Sequence, residues 1–567
     1  MVAEVGAPRV GAPRDGALQQ GALRFACRPG ASDARRWLRV AAAVLGSGAC
    51  ADGAVAPGVL PARPVPADTA FIVPGVAREF RGIWIATVAN LDWPSRPSLS
   101  SAEQQRELVT LLDRAAGVRA NAVIFQVRVN GERLYAATSE PWATSLAGRS
   151  DVVPGYDPLQ LAIDSARARG LEVHAWFNPF RAGNASDTAR LAPSHFARLR
   201  PDLRRVPRDR ISGAGVGLWF DPGEPDVQDH TISVITQVLQ QYDVDAIHLD
   251  DFFYPYPNGN GVLRFPDDST FARCRRGGGG LALDDWRRDN INRFVERLYT
   301  EVKRRKPSVA VGISPFGIWR PGHPPGVTGL DAYATLYADS RLWLQRGWVD
   351  YLAPQLYWGL GSTGQPFEAL LDWWRSQNSA ARHVWPGLAA FRVGDGTSSA
   401  YLPGEIPAQL LAVRARAGEP GAVLFRARSI FDGPAGLWAL LSHGVYADFA
   451  LPPMAPGVEP GAPPPPTVSV SPDSPGAWRV LIDRPAGSEG TFESPRWWLL
   501  RWRTRGSTTG STTGSTDQVT WHWARRGAEG REWIVPAAVT GARTDAIIVQ
   551  TVDRAGRLSA PVTWRAP

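Results

Sequence analysis

Residues 245 to 257, DAIHLDDFFYPYP, end a short apolar run on two consecutive acids, Asp250 and Asp251, and follow them with Phe and Tyr rings. Two carboxylates held close together cannot ionise independently, so one keeps its proton toward neutral pH and can act as a general acid beside an ionised partner. Neighbouring rings exclude water and push the same way. A single Asp closing a strand is ordinarily a helix N-cap, but one cap needs one side chain and adjacent carboxylates repel, so the pair points to chemistry. Asp250 and Asp251 are therefore the candidate catalytic residues. The residues that close the other apolar runs, or flank this one, are the candidate substrate-binding set: Asp92, Trp93, Gln126, Arg128, Glu132, His174, Trp176, Asn178, His248, Tyr254, Trp319, Arg320, Gln355, Tyr357 and Trp358. The seventh and eighth runs close on Arg392 and Arg426, and the seventh carries no carboxylate. That matters because many retaining glycosidases set a nucleophile across the site from the acid.

Other chemistries lack their signatures. His174 and His248 lie on separate runs without a nearby Cys, so they read as hydrogen-bonded core or sugar-hydroxyl partners, and no metal is expected. Cys27, Cys50 and Cys274 show no C-x-x-C spacing and form no disulfide framework. No phosphate-binding glycine loop, dinucleotide fingerprint or nucleophile elbow stands at a strand-to-helix junction, and no cofactor is expected.

Positioning such residues takes a scaffold of repeated strands. Apolar runs suited to buried strands fall at 81–88, 121–128, 171–178, 245–251, 309–315, 350–358, 383–391 and 421–427, with helical spacing between them, as at 101–117, 157–170 and 285–305. Eight such units predict an α/β fold of the (β/α)8 TIM type over 76–450, with the site at the C-terminal strand ends; an open doubly wound sheet is the alternative. A Pro-rich linker follows at 451–466. Residues 467–567 hold short β-type runs parted by Gly, Pro and Ser, which predicts a fibronectin type III-like β-sandwich, with GSTTGSTTGST at 506–516 a flexible loop insert.

The first 50 residues hold seven Arg against Glu4, Asp15 and Asp33, so they carry half of the net charge of +8. The remainder has no basic tract of the kind that binds nucleic acid, and no nucleic-acid partner is expected. RRWLRVAAAVLGSGAC, 35–50, sets Arg ahead of a small apolar run, which makes 1–50 a low-complexity presequence with a secretory or lipoprotein signal. The apolar run is too short to span a bilayer, so any membrane attachment would be a lipid on Cys50, with 51–75 as a tether. The expected address is the periplasm or outer membrane. The 23 Trp suit a sugar-binding protein, since flat rings stack on the C–H faces of pyranoses.

EFRGIWIATVANLDWPSRP, NAVIFQVRVNGERLYA, YDPLQLAIDSARARGLEVHAWFNPFRA, HLDDFFYPYP, GISPFGIWRPG and WVDYLAPQLYWG resemble, in this order, the family 10-like bacterial glycosyl hydrolases. The resemblance runs from about Glu79 to about Arg428, and departs where Val129 and Glu132 follow QVR. It implies a barrel glycosidase of the cell envelope; the family includes an outer-membrane lipoprotein that cleaves peptidoglycan strands stripped of their peptides. Such a substrate carries 2-acetamido groups, whose carbonyl can replace a protein nucleophile, and lactyl carboxylates, for which Arg128, Arg181 or Arg320 could supply a bidentate partner. A non-catalytic glycan-binding envelope protein and a hydrolase of another secreted polysaccharide are the competing readings.

Overall fold

The computed structural model describes residues 73–567 apart from 137–139, 184–187, 190, 258–262, 459–460, 474–475, 486–493 and 508–516. The signal, the Cys50 lipidation site, nearly all of the tether and most of the 506–516 insert lie outside the described residues.

Parallel strands form at every one of the eight apolar runs. In order they are Phe80–Ile85, Ala122–Val129, Glu172–Phe177, Ala246–Leu249, Ala310–Ile313, Tyr351–Leu352, a seventh at 383–388, and Gly421–Leu424. Each pairs with the next in sequence, and the first also pairs with the eighth, so the sheet curls. The late strands are shorter than their apolar runs. Pro386 lacks an N–H and splits the seventh into His383–Val384 and Gly387–Leu388; Pro354 ends the sixth, beyond which Gln355 keeps single bridges to Phe316 and Gly387.

Helices cover the outside. Ser101–Gly117 starts with a capping box between Ser100 and Glu103, and Pro158–Ala168 with Asp157 accepting from the Leu159 and Gln160 amides and Pro158 in its first turn. Pro225–Gln241, Leu283–Arg305, Phe367–Ser376 and Glu405–Arg414 follow. Apolar helix faces and outward strand residues form the large core, whereas Phe80, Trp84, Ile124, Trp176, Tyr351, Trp385 and Val423 fill the inside of the curl. Tyr351 crosses that interior over Gly312, where a Cβ would lie 1.9 Å from its ring. Its hydroxyl meets His174 Nδ1 at 2.9 Å and His248 Nδ1 at 2.8 Å, and His248 Nε2 reaches Ser314 Oγ at 3.0 Å.

The C-terminal residues form two antiparallel sheets. One holds Thr467–Pro472, Ala477–Asp483 and Glu532–Pro536; the other centres on Pro495–Ser507 between Asp517–Gly527 and Ala542–Asp553, with Val562–Arg565 at its edge. Val480, Ile482, Trp498, Leu500, Trp533, Val535 and Ile547 pack between them. The second sheet docks on the strand starts of the curled sheet. The stretch expected as linker begins inside this interface: Leu451 is buried with Trp497, Leu499 and Val552, Pro452 and Pro453 are buried after it, and Met454 is the first exposed residue.

Ion pairs hold the interface. Asp243 meets Arg496 at 2.7 Å, Arg554 at 2.9 Å and Arg167. Burial alone would raise its pKa, yet the hydrogen bond from Arg554 and the three positive charges hold it well below the usual carboxylate range. Asp243→Ala, which takes the carboxylate from Arg554 and leaves Arg496 with Asp245 and Arg167 with Glu529 alone at a half-buried seam, is expected to cost about 2 kcal/mol in urea unfolding. Because the folded pKa is depressed, that contribution is present above the unfolded value near pH 4 and fades as pH falls below it, so wild type and variant should converge in acid. Equal stability of the two at pH 7 would remove Asp243 from the interface energetics.

Candidate active site

Asp250 and Asp251 follow the fourth strand directly, and each is only 4% exposed. Asp250 Oδ2 accepts from Trp176 Nε1 at 2.9 Å and from the Asn178 amide, both at the end of the third strand, and Oδ1 accepts from the Phe252 N–H at 3.1 Å. The orientation of Asn178 is set from two strands away. The Thr87 and Val88 N–H groups, which can only donate, point at Gln126 Oε1 at 2.9 and 2.8 Å, so Gln126 Nε2 must face Asn178 Oδ1, at 3.0 Å. Asn178 is left with its NH2 toward Asp250. Three N–H donors thus converge on that carboxylate.

Asp251 is held by hydroxyl and amide. Tyr256 Oη and the Gln355 side chain donate to it, and Gln355 Nε2 is anchored on the Ser314 carbonyl at 2.9 Å. Burial, then the charge of Asp251, pushes Asp250 up to about 7. Burial likewise pushes Asp251 up to about 6, against the pull of Tyr256 and Gln355. The two titrate as one unit that retains a proton near neutral pH.

Rings wall the pair. Phe252 and Tyr256 pack at 5.3 Å, Tyr256 meets Phe316 at 6.2 Å, and Phe316 meets Trp358 edge-on at 5.7 Å. On the other side Tyr357, whose hydroxyl is pushed well up by burial and by Asp251, meets Phe391 at 5.6 Å and Phe425 at 6.0 Å. The Arg181 guanidinium lies near Asp250, over the rings of Phe252 and Trp219 at 5.4 and 5.7 Å. A buried acid pair with unequal hydrogen-bond partners, walled by aromatic rings, can donate one proton and stabilise one positive charge.

The structure gathers Trp176, Asn178, Gln126, Gln355, Tyr357 and Trp358 around this pair or onto its partners. It sends several other expected ligand contacts elsewhere. Arg128 is fully buried, with its Nη2 2.6 Å from Glu140 and its Nη1 2.6 Å from the Asn178 carbonyl. Asp92 accepts from the Ala86 and Arg428 N–H groups at 2.8 and 2.9 Å and closes a loop; Trp93 is buried with Nε1 on the Gln104 carbonyl. Glu132 accepts from the Thr144 N–H at 2.8 Å, and burial pushes it up to about 7. His174 and His248 are spent on Tyr351 inside the curl, where burial holds His248 neutral. Tyr254 packs between Phe265 and Tyr337; Trp319 stacks on Trp373, and the half-buried Arg320 pairs with Asp331 at 3.3 Å. These contacts are with the protein frame. Tyr256 is the omission: FFYPYP offers two tyrosines, and nothing in that spacing tells which turns back onto Asp251.

A family model described as glycosyl hydrolase-like 10 matches residues 79–400. The protein named glycosyl hydrolase YngK, from Bacillus subtilis strain 168, is 35% identical over 421 residues, which is 73% of this chain and 81% of that one. Glycosyl hydrolase DigH of Escherichia coli strain K12 is 35% identical over 338 residues, 56% of this chain and 75% of that one. Among solved structures, the catalytic domain of a β-amylase from Paenibacillus polymyxa overlays with a TM-score of 0.45 at 13% identity, covering 66% of this chain and 99% of that one, too loosely to bear on activity.

Proposed function

Since the chain belongs to the glycosyl hydrolase-like 10 family, we propose that it is a glycosidase that cleaves 2-acetamido-sugar glycan, with peptide-free peptidoglycan strands as its substrate. The observation that carries this reading is the closed Asp250–Asp251 pair, whose two members have different hydrogen-bond partners. Asp251 protonates the glycosidic oxygen as the C1–O bond breaks. The acetamido carbonyl oxygen of the same sugar closes on C1, and the carboxylate of Asp250, fixed by three N–H donors, stabilises the positive oxazolinium so formed. Water then attacks C1, the ring reopens, and its proton returns to Asp251. Tyr357 and Gln355 border the place where the acetamido group would sit, and the Phe and Tyr walls would stack the sugars.

In the same reading the curled sheet is a (β/α)8 barrel over 76–450, the C-terminal residues 467–567 are a fibronectin type III-like sandwich, and the chain is exported to the periplasm or outer membrane, with or without a lipid on Cys50. A thiazoline mimic of the cyclised intermediate tests the mechanism. It is expected to inhibit cleavage of denuded glycan strands and to bind Asp250→Ala at least ~100-fold more weakly, as intermediate-like ligands do. A covalent sugar adduct trapped on a carboxylate of this protein would overturn the substrate-assisted step.

A further inference from the structure

Arginines stand around the catalytic face, and nearly all are committed. Arg128 is paired with Glu140 at 2.6 Å, Arg320 with Asp331 at 3.3 Å, Arg426 with Asp92 at 3.1 Å, and Arg428 with Asp432 at 3.5 Å. Arg181 lies against Asp250. Arg392, just past the seventh strand, differs. It is half-buried, with its guanidinium 6.0 Å from the Phe391 ring and 5.9 Å from that of Tyr401, and among the described residues it has no ion pair and no side-chain hydrogen bond.

The acids near it in sequence are occupied. Asp395 accepts from the N–H and hydroxyl of Thr397, and Glu405 accepts from the Leu360 N–H and from Gln409. Arg392 also sits at the end of the ring wall that leads to the acid pair, since Phe391 meets Tyr357 at 5.6 Å and Phe425 at 5.9 Å, and the Tyr357 hydroxyl feels the charge of Asp251. The adjoining residues 394–400 are exposed, which leaves that end of the wall open. A guanidinium beside two rings presents a planar fork of donors suited to a carboxylate, and partial burial strengthens such a pair relative to one in open water.

We propose that Arg392 recognises a carboxylate carried by the glycan beside the sugar that is cleaved, so that the site selects acidic over neutral 2-acetamido glycans. This rests on the glycosidase reading given above. The test compares wild type, Arg392→Gln and Arg392→Lys on denuded peptidoglycan strands and on the same strands after chemical reduction of their carboxyl groups. Arg392→Gln is expected to raise KM for the acidic strands ~10-fold while leaving kcat within ~2-fold, with no change on reduced strands and partial recovery in Arg392→Lys. Equal effects on both glycans, or none on either, would overturn the proposal. Calorimetric binding of acidic and reduced oligosaccharides to Asp251→Asn and to Asp251→Asn with Arg392→Gln gives the same comparison without turnover. If wild type cuts neither glycan, the glycosidase reading fails, while a lost preference in the binding arm still decides the role of Arg392.

Discussion

Asp251→Asn is expected to lower kcat on a 2-acetamido glycan by ~10³-fold, the range lost when a positioned general acid is removed, and Asp250→Asn by ~10²-fold through loss of charge stabilisation. The two substitutions separate by pH. In the wild type the pair keeps one proton toward neutral pH, and the three N–H donors on Asp250 favour its carboxylate and leave that proton on Asp251, so cleavage should fall as pH rises through about 7. Asp250→Asn removes a negative neighbour, which lowers the pKa of Asp251 and moves the alkaline limb to lower pH. The Asn substitutions should move stability the opposite way from activity. Both folded pKa values, about 7 and about 6, lie above the unfolded value near 3.9, so between roughly pH 4 and 7 the native chain binds more protons than the unfolded one and loses stability as pH rises. Either Asn variant removes one of the two raised groups and so escapes part of that loss, and should melt higher than wild type at pH 8 and close to it at pH 4. Undiminished cleavage by both variants would remove the pair from the mechanism.

The acids were legible because they broke a rule: a cap needs one carboxylate and the strand end offered two. The strands were legible because a parallel strand buried on both faces is a continuous apolar run, and all eight runs carry one. Their lengths were not, since Pro354 and Pro386 sit in stretches whose hydrophobicity continues past the point where the ladder stops. Side-chain commitments were the least legible part. His174 and His248 meet only because Tyr351, far along the chain, crosses above Gly312 to reach both, and no local pattern encodes a partner at that separation. Arg128 shows the same limit. At a strand end it has the type and place of a ligand-binding residue, and what takes it out of the site is Glu140, which lies in a loop with no periodicity to read.

Arg128→Ala is accordingly expected to unfold the protein more easily and not to act as a binding mutation. Glu140 would stay in a closed space without its main partner. Burial alone would raise its pKa, but the charge and hydrogen bonds of Arg128, with His230 at 2.9 Å, instead hold it down at about 2. Its ionisation is therefore coupled to Arg128, and stripping one member from a buried pair costs about 3–5 kcal/mol, because the survivor keeps its desolvation without the compensating charge. Arg128 also donates to the Asn178 carbonyl, so its loss loosens the strand end that holds the amide on Asp250. The double variant Arg128→Met, Glu140→Met removes both charges and keeps the volume, and should recover most of the stability lost by either single change in urea unfolding. The pair's contribution is present above the unfolded Glu value near pH 4.3 and is lost as pH falls toward about 2, so the cost of Arg128→Ala should shrink in acid. A residue that gripped substrate would give another pattern: KM for glycan would rise, the unfolding midpoint would not move, and the second substitution would rescue nothing.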